Sequence, residues 1–380
     1  MRVFTKLTLM LFVLSLVSQL SAQTSEKTTA KEDNIVAMVN HNDKEKAKVA
    51  EKTTEPVTAV EEEEEEPKFT ISGSADTYFR TNLNGPNDIS KSGIIAPATS
   101  FANLPGFSLG MINLVGAYET AKGGVVADLV FGPRGSDAVF GSPLYSNSGQ
   151  MVNQLYAYWN VSPNATITMG NFNTFLGYEV ISPTANFNYS TSYMFSWGPF
   201  SHTGLKLDIS SESGFSFMAG ILNPTDITEF NPSGDYFVGL QAGYGGFYLN
   251  GLFGDGYSQV DLTGGVDVSE SFYLGINATL TDTGDDTGFS GAAIYAQLAA
   301  SDDFKIGARV ELFQDKATVF GDFAKANASD FTLTGNYTTG NLTIIPEIRF
   351  DTNSEDVFVD KDGAPSSGLA SFLLAFVYGF

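Results

Sequence analysis

Apolar and polar residues alternate along most of the chain from Lys68 to the C-terminus. Between Phe304 and Leu312, apolar side chains occupy every second position, and the positions between them include Lys305, Arg309 and Glu311. A period of two indicates a β-strand with one apolar face. Segmenting the chain by such runs predicts sixteen strands, near 69–82, 104–119, 124–134, 150–161, 165–172, 201–210, 215–222, 235–243, 247–254, 257–267, 272–282, 288–299, 304–313, 328–337, 342–351 and 367–380.

The connections between these strands alternate in length. Tight turns such as 121–123, 211–213 and 339–341 alternate with longer loops around 83–103, 135–149, 173–200, 223–234, 314–327 and 352–366. Short turns at one end and long loops at the other are typical of outer-membrane barrels. An open sheet in lipid would leave the amides of its edge strands unpaired. The pattern therefore predicts an all-β, transmembrane antiparallel barrel of sixteen strands. Fourteen or eighteen strands are the alternatives, because the connections near 255 and 285 are weakly marked.

The last predicted strand ends on an aromatic residue. Its outward positions are Phe372, Leu374, Phe376, Tyr378 and the terminal Phe380. Burial in an ordinary core would give the same alternation but would not explain the terminal phenylalanine. We interpret these five residues as the signal that the barrel assembly machinery reads during biogenesis.

The first 67 residues differ from the rest. Residues 1–22 have a basic start, an apolar run over 7–17 and small residues before Gln23, the layout of a secretory signal peptide. The apolar run is shorter than the about 20 residues that a membrane-spanning helix needs, and a retained anchor is the alternative. Residues 23–67 are acidic and contain no aromatic residue, which predicts a disordered periplasmic spacer. A docking element for a periplasmic partner is the second interpretation.

Composition removes several classes of protein. The 380 residues include no cysteine, which excludes disulfides, thiolate metal sites and cysteine nucleophiles. The net charge of −23 excludes a nucleic-acid partner, because phosphates would be repelled.

Catalytic and metal motifs are also missing. The barrel region contains one histidine, His202, and no G-x-S-x-G or H-E-x-x-H motif. Ser201 and His202 cannot form a dyad, since adjacent strand residues point to opposite faces. The acidic loops at 282–286 and 360–363 lack the spacing of an EF-hand and are interpreted as solvated turns. We therefore expect no enzyme activity, no cofactor and no metal site.

The segment 170–204 carries a more specific signal. It contains Gly170-Asn171-Phe172-Asn173-Thr174-Phe175-Leu176-Gly177-Tyr178-Glu179 and, later, Pro199-Phe200-Ser201-His202-Thr203-Gly204. These stretches resemble the signature of the OmpL-like beta-barrel porin family of Gram-negative bacteria. The resemblance extends over 68–380 and implies an outer-membrane barrel with a porin role.

Charged residues on the inward face predict a wet lumen. Each would cost about 2.5–3.5 kcal/mol in lipid, and a barrel of sixteen strands is wide enough for an aqueous channel. By parity the pore-lining residues are Asp76, Arg80, Asp128, Lys206, Asp208, Arg309, Glu311, Glu347, Arg349 and Asp351. Ion pairing that only stiffens the wall is the alternative role for them.

The loop 173–200 is long and unusually aromatic. We predict that it folds into the lumen as a constriction loop, with Phe175, Tyr178, Glu179, Tyr189, Tyr193 and Trp197 as its main residues. Capping the barrel or contacting a neighbouring subunit are the alternatives. From Lys68 onward, acidic residues outnumber basic ones 30 to 12, which predicts a mild cation preference.

Together these features predict a signal-peptide-bearing outer-membrane porin, a passive diffusion channel for small hydrophilic solutes with its tail in the periplasm. The alternative is a plugged barrel that serves as a structural or accessory subunit of a surface complex. The expected partners are outer-membrane lipid and lipopolysaccharide, the barrel assembly machinery, and either other outer-membrane proteins or further copies of the chain.

Overall fold

The computed structural model describes residues 66–88, 95–139, 149–319 and 326–380. The predicted signal peptide 1–22, and the predicted spacer 23–67 up to residue 65, lie outside the described residues. The strands are β1 (Lys68–Asn82), β2 (Gly106–Thr120), β3 (Gly123–Phe131), β4 (Val152–Ser162), β5 (Ala165–Asn173), β6 (Ser201–Ser210), β7 (Phe215–Leu222), β8 (Phe237–Tyr244), β9 (Phe247–Gly254), β10 (Tyr257–Ser269), β11 (Phe272–Asp282), β12 (Gly288–Ala299), β13 (Phe304–Lys316), β14 (Asn327–Thr339), β15 (Leu342–Asn353), β16 (Phe358–Val359), β17 (Pro365–Ser366) and β18 (Gly368–Gly379).

Sixteen of these strands, β1 to β15 and β18, close into one antiparallel barrel. Each pairs with its neighbours in sequence, and β1 pairs with β18 to close the ring, with Thr77 opposite Phe376. Beyond β18, the amide and carbonyl of Phe380 pair with the carbonyl and amide of Gly73, both at 2.9 Å. The short strands β16 and β17 form a separate two-stranded sheet. The predicted count of sixteen is therefore confirmed, and fourteen and eighteen are wrong.

The predicted strand boundaries differ from the observed ones by a few residues, and the largest differences have local causes. The strand predicted over 124–134 ends at Phe131, because Gly132 has a positive φ of 101° and Pro133 starts helix α1 (Pro133–Ala138). The strand predicted from 150 begins at Val152, after a short 3-10 helix (Gly149–Met151).

The two ends of the barrel differ in their connections. One end, here called the turn end, carries the short turns, including the two-residue turn between β8 and β9. Both residues of that turn, Gly245 and Gly246, have positive φ, as a tight two-residue hairpin requires. The opposite end, the loop end, carries the long connections, including the one between β5 and β6 with helix α2 (Tyr193–Trp197). Within the described ranges, no helix is long and apolar enough to cross a membrane.

Burial follows the predicted alternation. On β13, Leu312 is 65% exposed on the outer face, whereas Arg309 and Glu311 are fully buried on the inner face. The outward residues of β18 follow the same rule: Phe376, Tyr378 and Phe380 are exposed, while Leu373, Ala375 and Val377 are buried. The apolar surface thus faces outward, where lipid would cover it, and the polar groups face the interior.

Candidate functional site: the interior of the barrel

The connection between β5 and β6, residues 174–200, is called the inner loop. Its two ends are adjacent, because the Thr174 amide donates to the Phe200 carbonyl at 2.9 Å. Its side chains pack against the inward faces of the strands, and Tyr189 and Tyr193 are 1% and 0% exposed. The structure therefore places this segment inside the barrel.

The inner loop reaches the turn end. The Phe187 carbonyl accepts a hydrogen bond from Asn336 at 3.0 Å, close to the end of β14. Thr184 lies next to Gly379, whose amide bonds to Asn341 in the turn between β14 and β15. The loop thus runs from one end of the barrel to the other and occupies much of the lumen.

Glycines on the inner wall make room for the side chains of the loop. A Cβ at Gly275 would lie 2.7 Å from the Tyr178 hydroxyl, and one at Gly307 would lie 2.4 Å from the Phe187 ring. Gly239 and Gly291 similarly receive Phe175 and Met194. At these places the wall approaches the loop too closely for any larger residue.

Carboxylates of the wall accept the backbone amides of the loop. Glu347 accepts from the amides of Tyr189 and Ser190 at 2.9 and 3.1 Å. Glu311 accepts from Tyr193 and Met194, both at 2.8 Å. These amides would otherwise be buried donors without an acceptor, which costs about 1–3 kcal/mol each. The two carboxylates therefore fix the path of the loop.

Arginines of the wall complete this arrangement by donating to the loop. Arg309 forms ion pairs with Glu179 and with Asp330 on β14, both at 2.6 Å, and donates to the Ser190 carbonyl at 2.7 Å. Arg349 pairs with Asp351 at 2.7 Å and donates to the Thr191 carbonyl at 2.6 Å. Of these two arginines, Arg309 is the one that pairs with Glu179, the single acidic residue of the inner loop.

Two loop tyrosines donate their hydroxyls to carboxylates of the wall. Tyr189 donates to Asp76, and Tyr193 donates to Asp351 at 3.0 Å. Both hydroxyls therefore hold the inner loop against carboxylates of the wall.

Three of the predicted pore-lining residues lie away from this network. Asp128, on β3, accepts hydrogen bonds from the side-chain amides of Asn113, Asn153 and Gln154. Lys206 and Asp208, on β6, pair with each other at 2.8 Å, and their side chains keep 22% and 35% of their surface exposed.

The other predicted site residues occupy distinct positions. Arg80, on β1, is buried and lines a small cavity. Phe175 packs with a buried apolar cluster that contains Leu222 and Leu252, while Tyr178 stacks on Tyr295 at 4.1 Å. Trp197 is 39% exposed and is not part of the packed interior.

Several residues of the interior were not predicted from sequence. Arg134, assigned there to a strand, lies on α1 and donates to the Ile181 carbonyl at 2.9 Å. Asp261, on β10, accepts the Gly177 amide at 3.0 Å. Asp330 could have been found by the parity rule, since it shares the inward face of β14 with Thr332 and Thr334. Arg134 carried no such signal, because a short helix in a loop has no period to read.

The single histidine of the barrel is part of the packing. His202 is fully buried between the rings of Phe172 and Phe175, and its Nε2 lies 2.9 Å from the Thr174 hydroxyl. Among the described residues, no group of three or more carboxylate or imidazole side chains is arranged to hold a metal ion.

Comparison with known proteins identifies the family. The model of the family described as "Putative beta-barrel porin-2, OmpL-like" matches residues 68–380. The chain belongs to this family. No curated protein sequence matches it. The family membership and the closed barrel together make it an outer-membrane β-barrel porin, as the resemblance in segment 170–204 implied.

Solved structures share the fold of this porin at low sequence identity. It resembles an anion-selective porin from Comamonas acidovorans with a TM-score of 0.54 and 11% identity, covering 83% of this chain and all of that one. OmpT of Vibrio cholerae matches with a TM-score of 0.51 and 12% identity, covering 83% of this chain and 98% of that one. The outer membrane channel DcaP of Acinetobacter baumannii matches with a TM-score of 0.51 and 9% identity, covering 83% of this chain and 97% of that one. At these identities the likeness concerns the fold alone.

Proposed function

We propose that this porin is a passive diffusion channel for small hydrophilic solutes, with its path beside the inner loop along the inward face of β6. The observation that carries the proposal is the exposure of Lys206 and Asp208, at 22% and 35%, in an interior where Arg309 and Asp330 are fully buried. Charged side chains on an inward face are exposed only where water reaches them. This exposure supports a water-filled path between the inner loop and this wall.

The charge balance supports a mild preference for cations. Acidic residues outnumber basic ones 30 to 12 from Lys68 onward, so the average potential of the barrel is negative. Lys206 and Asp208 contribute opposite charges side by side and leave the uncovered wall locally balanced. We therefore expect a weak preference for cations that is set by the charge of the whole barrel.

The test is the single-channel conductance of the purified porin in a planar bilayer, compared with a variant whose residues 176–198 are replaced by a short Gly-Ser linker. The linker fits because Thr174 and Phe200 are hydrogen-bonded neighbours. We expect small, steady steps from the natural chain and steps several-fold larger from the variant. Replacing the exposed turn 360–364 at the loop end by Gly-Ser is the matched control and leaves the conductance unchanged.

The second candidate function is a plugged barrel that acts as an accessory subunit of a surface complex. It is favoured by the path of the inner loop, which reaches Gly379 at the turn end. Heat-modifiable gel migration shows whether the barrel is folded. If the folded natural chain does not conduct and only the loop-replaced variant does, the result supports this candidate and refutes the channel. Steps of equal size from both would refute the role of the inner loop as the constriction.

The orientation of the barrel in the membrane and the lipid around it are part of the same proposal. Lys68 pairs with Glu119 beside the short turn between β2 and β3, so the chain enters the barrel at the turn end. In outer-membrane barrels the short turns face the periplasm, and the N-terminal tail would therefore start there. The exposed apolar outer face fits outer-membrane lipid and lipopolysaccharide.

A further inference from the structure

A small cavity lies inside the barrel between the wall of β1, β15 and β18, the segment 97–103 and the inner loop. Its polar lining comes from Arg80, Asn103, Ser190, Glu347, Arg349 and Ser371. It has room for about one occupant of the size of a water molecule. The charged groups of the lining are the guanidinium groups of Arg80 and Arg349 and the carboxylate of Glu347, and Arg349 is ion-paired with Asp351 at 2.7 Å.

Arg80 is the group in this lining whose hydrogen-bond donors are not matched. Its side chain is 3% exposed, and neither of its terminal nitrogens, Nη1 and Nη2, has a hydrogen-bond partner among the described residues. Arginine stays protonated in proteins, so its charge cannot be removed by titration. A buried cation without an acceptor is strongly unfavourable.

The carboxylates nearby are already engaged. Glu347, which shares the cavity, accepts the amides of Tyr189 and Ser190 and the hydroxyl of Thr334. Asp351 binds Arg349 through both of its oxygens and also accepts the Tyr193 hydroxyl. Arg349 in turn has acceptors in Asp351 and the Thr191 carbonyl. The unmet requirement is therefore an acceptor for Arg80.

We propose that the cavity beside Arg80 is a binding site for a small monovalent anion of the size of chloride. One such ion accepts hydrogen bonds from the Arg80 guanidinium and supplies the acceptor that its two terminal nitrogens lack. Larger anions, such as gluconate, do not fit in a space for about one water molecule. The site does not depend on the transport proposal, since it requires only the folded barrel.

The test has two readouts. Anomalous diffraction from crystals in sodium bromide locates the ion, and we expect a peak at hydrogen-bond distance from the Arg80 guanidinium. The thermal midpoint of the detergent-purified porin, read by heat-modifiable migration, is compared between sodium chloride and sodium gluconate at equal ionic strength. A ligand that binds the folded state only raises the midpoint with the logarithm of its concentration.

Two variants complete the test. Arg80→Met removes the cation, and we expect it to lose the chloride-dependent rise in midpoint. Lys206→Met removes a cation of the inner wall outside the cavity, and we expect it to keep that rise. The proposal is overturned if all three proteins respond equally, if the bromide map shows no anomalous peak at Arg80, or if a peak appears without a chloride-dependent midpoint. Should Arg80→Met fail to fold, the bromide map and the midpoints of the natural chain decide the question.

Discussion

Arg309 on the barrel wall and Glu179 in the inner loop form a fully buried ion pair, with 2.6 Å between the guanidinium Nη1 and the carboxylate Oε1. The two residues are 130 positions apart in sequence. Glu179 also accepts the amide and hydroxyl of Ser192 at 2.7 and 2.8 Å. The pair therefore connects the wall to both arms of the loop.

Glu179→Gln is expected to loosen the inner loop. Removing one partner of a buried ion pair costs about 3–5 kcal/mol, and because Arg309 keeps Asp330 we expect the lower end, about 3 kcal/mol. The thermal midpoint of the barrel should fall, and openings in the planar bilayer should become larger or noisier. Glu212→Gln, in an exposed turn, is the control. An unchanged midpoint for Glu179→Gln would show that the pair does not anchor the loop.

Gly275→Ala is expected to displace Tyr178. The added Cβ would lie 2.7 Å from the Tyr178 hydroxyl and 2.8 Å from its ring carbon Cζ. Overpacking of this kind costs about 1–3 kcal/mol, and it should also break the stacking of Tyr178 on Tyr295. Gly116→Ala is the matched control, because a Cβ there meets no atom closer than 4.0 Å. Equal thermal midpoints for the two variants would contradict the close packing of Tyr178 against Gly275.

Asp226 predicts a pH dependence of stability at the loop end. Its carboxylate accepts the amides of Phe200 and Ser201 at 2.8 and 2.9 Å, and burial raises its pKa from 3.8 to about 6. The folded state therefore binds more protons than the unfolded state between about pH 4 and 6. The contribution of this group is fully present below pH 4 and is lost as the pH rises through 6, by up to about 3 kcal/mol.

The measurement is the difference in thermal midpoint between the natural chain and Asp226→Asn as a function of pH. Asparagine cannot titrate, so the natural chain should lose stability relative to the variant between pH 4 and 7. If the difference in thermal midpoint does not change with pH over this range, the pKa of Asp226 is close to that of a solvated carboxyl.

Lys206→Glu tests the position of the permeation path. If ions pass along the inward face of β6, reversing this charge should raise the ratio of cation to anion permeability several-fold, measured as the reversal potential in a salt gradient. Lys361→Glu, in an exposed loop at the other end of the barrel, makes the same change in net charge and serves as the control. Equal shifts for both variants would assign selectivity to the overall charge and not to this wall.

Phe380→Ala separates barrel closure from assembly. The substitution keeps the two backbone hydrogen bonds to Gly73 and removes only the exposed ring. We expect the amount of folded barrel in cells to fall several-fold, while refolding of the purified chain in detergent stays close to normal. Equal losses in both assays would show that the ring stabilises the barrel itself and is not a signal for the assembly machinery.

The sequence by itself determined the barrel. In a strand that separates lipid from a polar interior, each residue faces one side or the other, so the alternation of Leu312 with Glu311 reports the environment position by position. Strand number and the inward side of Arg309 and Arg349 follow from this local rule, and strand ends follow to within a few residues. The entry of the inner loop into the lumen is expected from its aromatic composition.

Only the tertiary structure decided what the interior residues contact. The pairing of Glu179 with Arg309, the seat of Tyr178 on Gly275 and the donation of Arg134 to Ile181 join segments far apart in sequence. The path of the inner loop depends on the shape of the closed lumen and on which wall carboxylates its amides reach. Neither the shape of the lumen nor these amide contacts repeat along the sequence, so no periodic pattern predicts the path of the loop. The same holds for Arg80, whose missing partner becomes visible only when every neighbour of its guanidinium is in place.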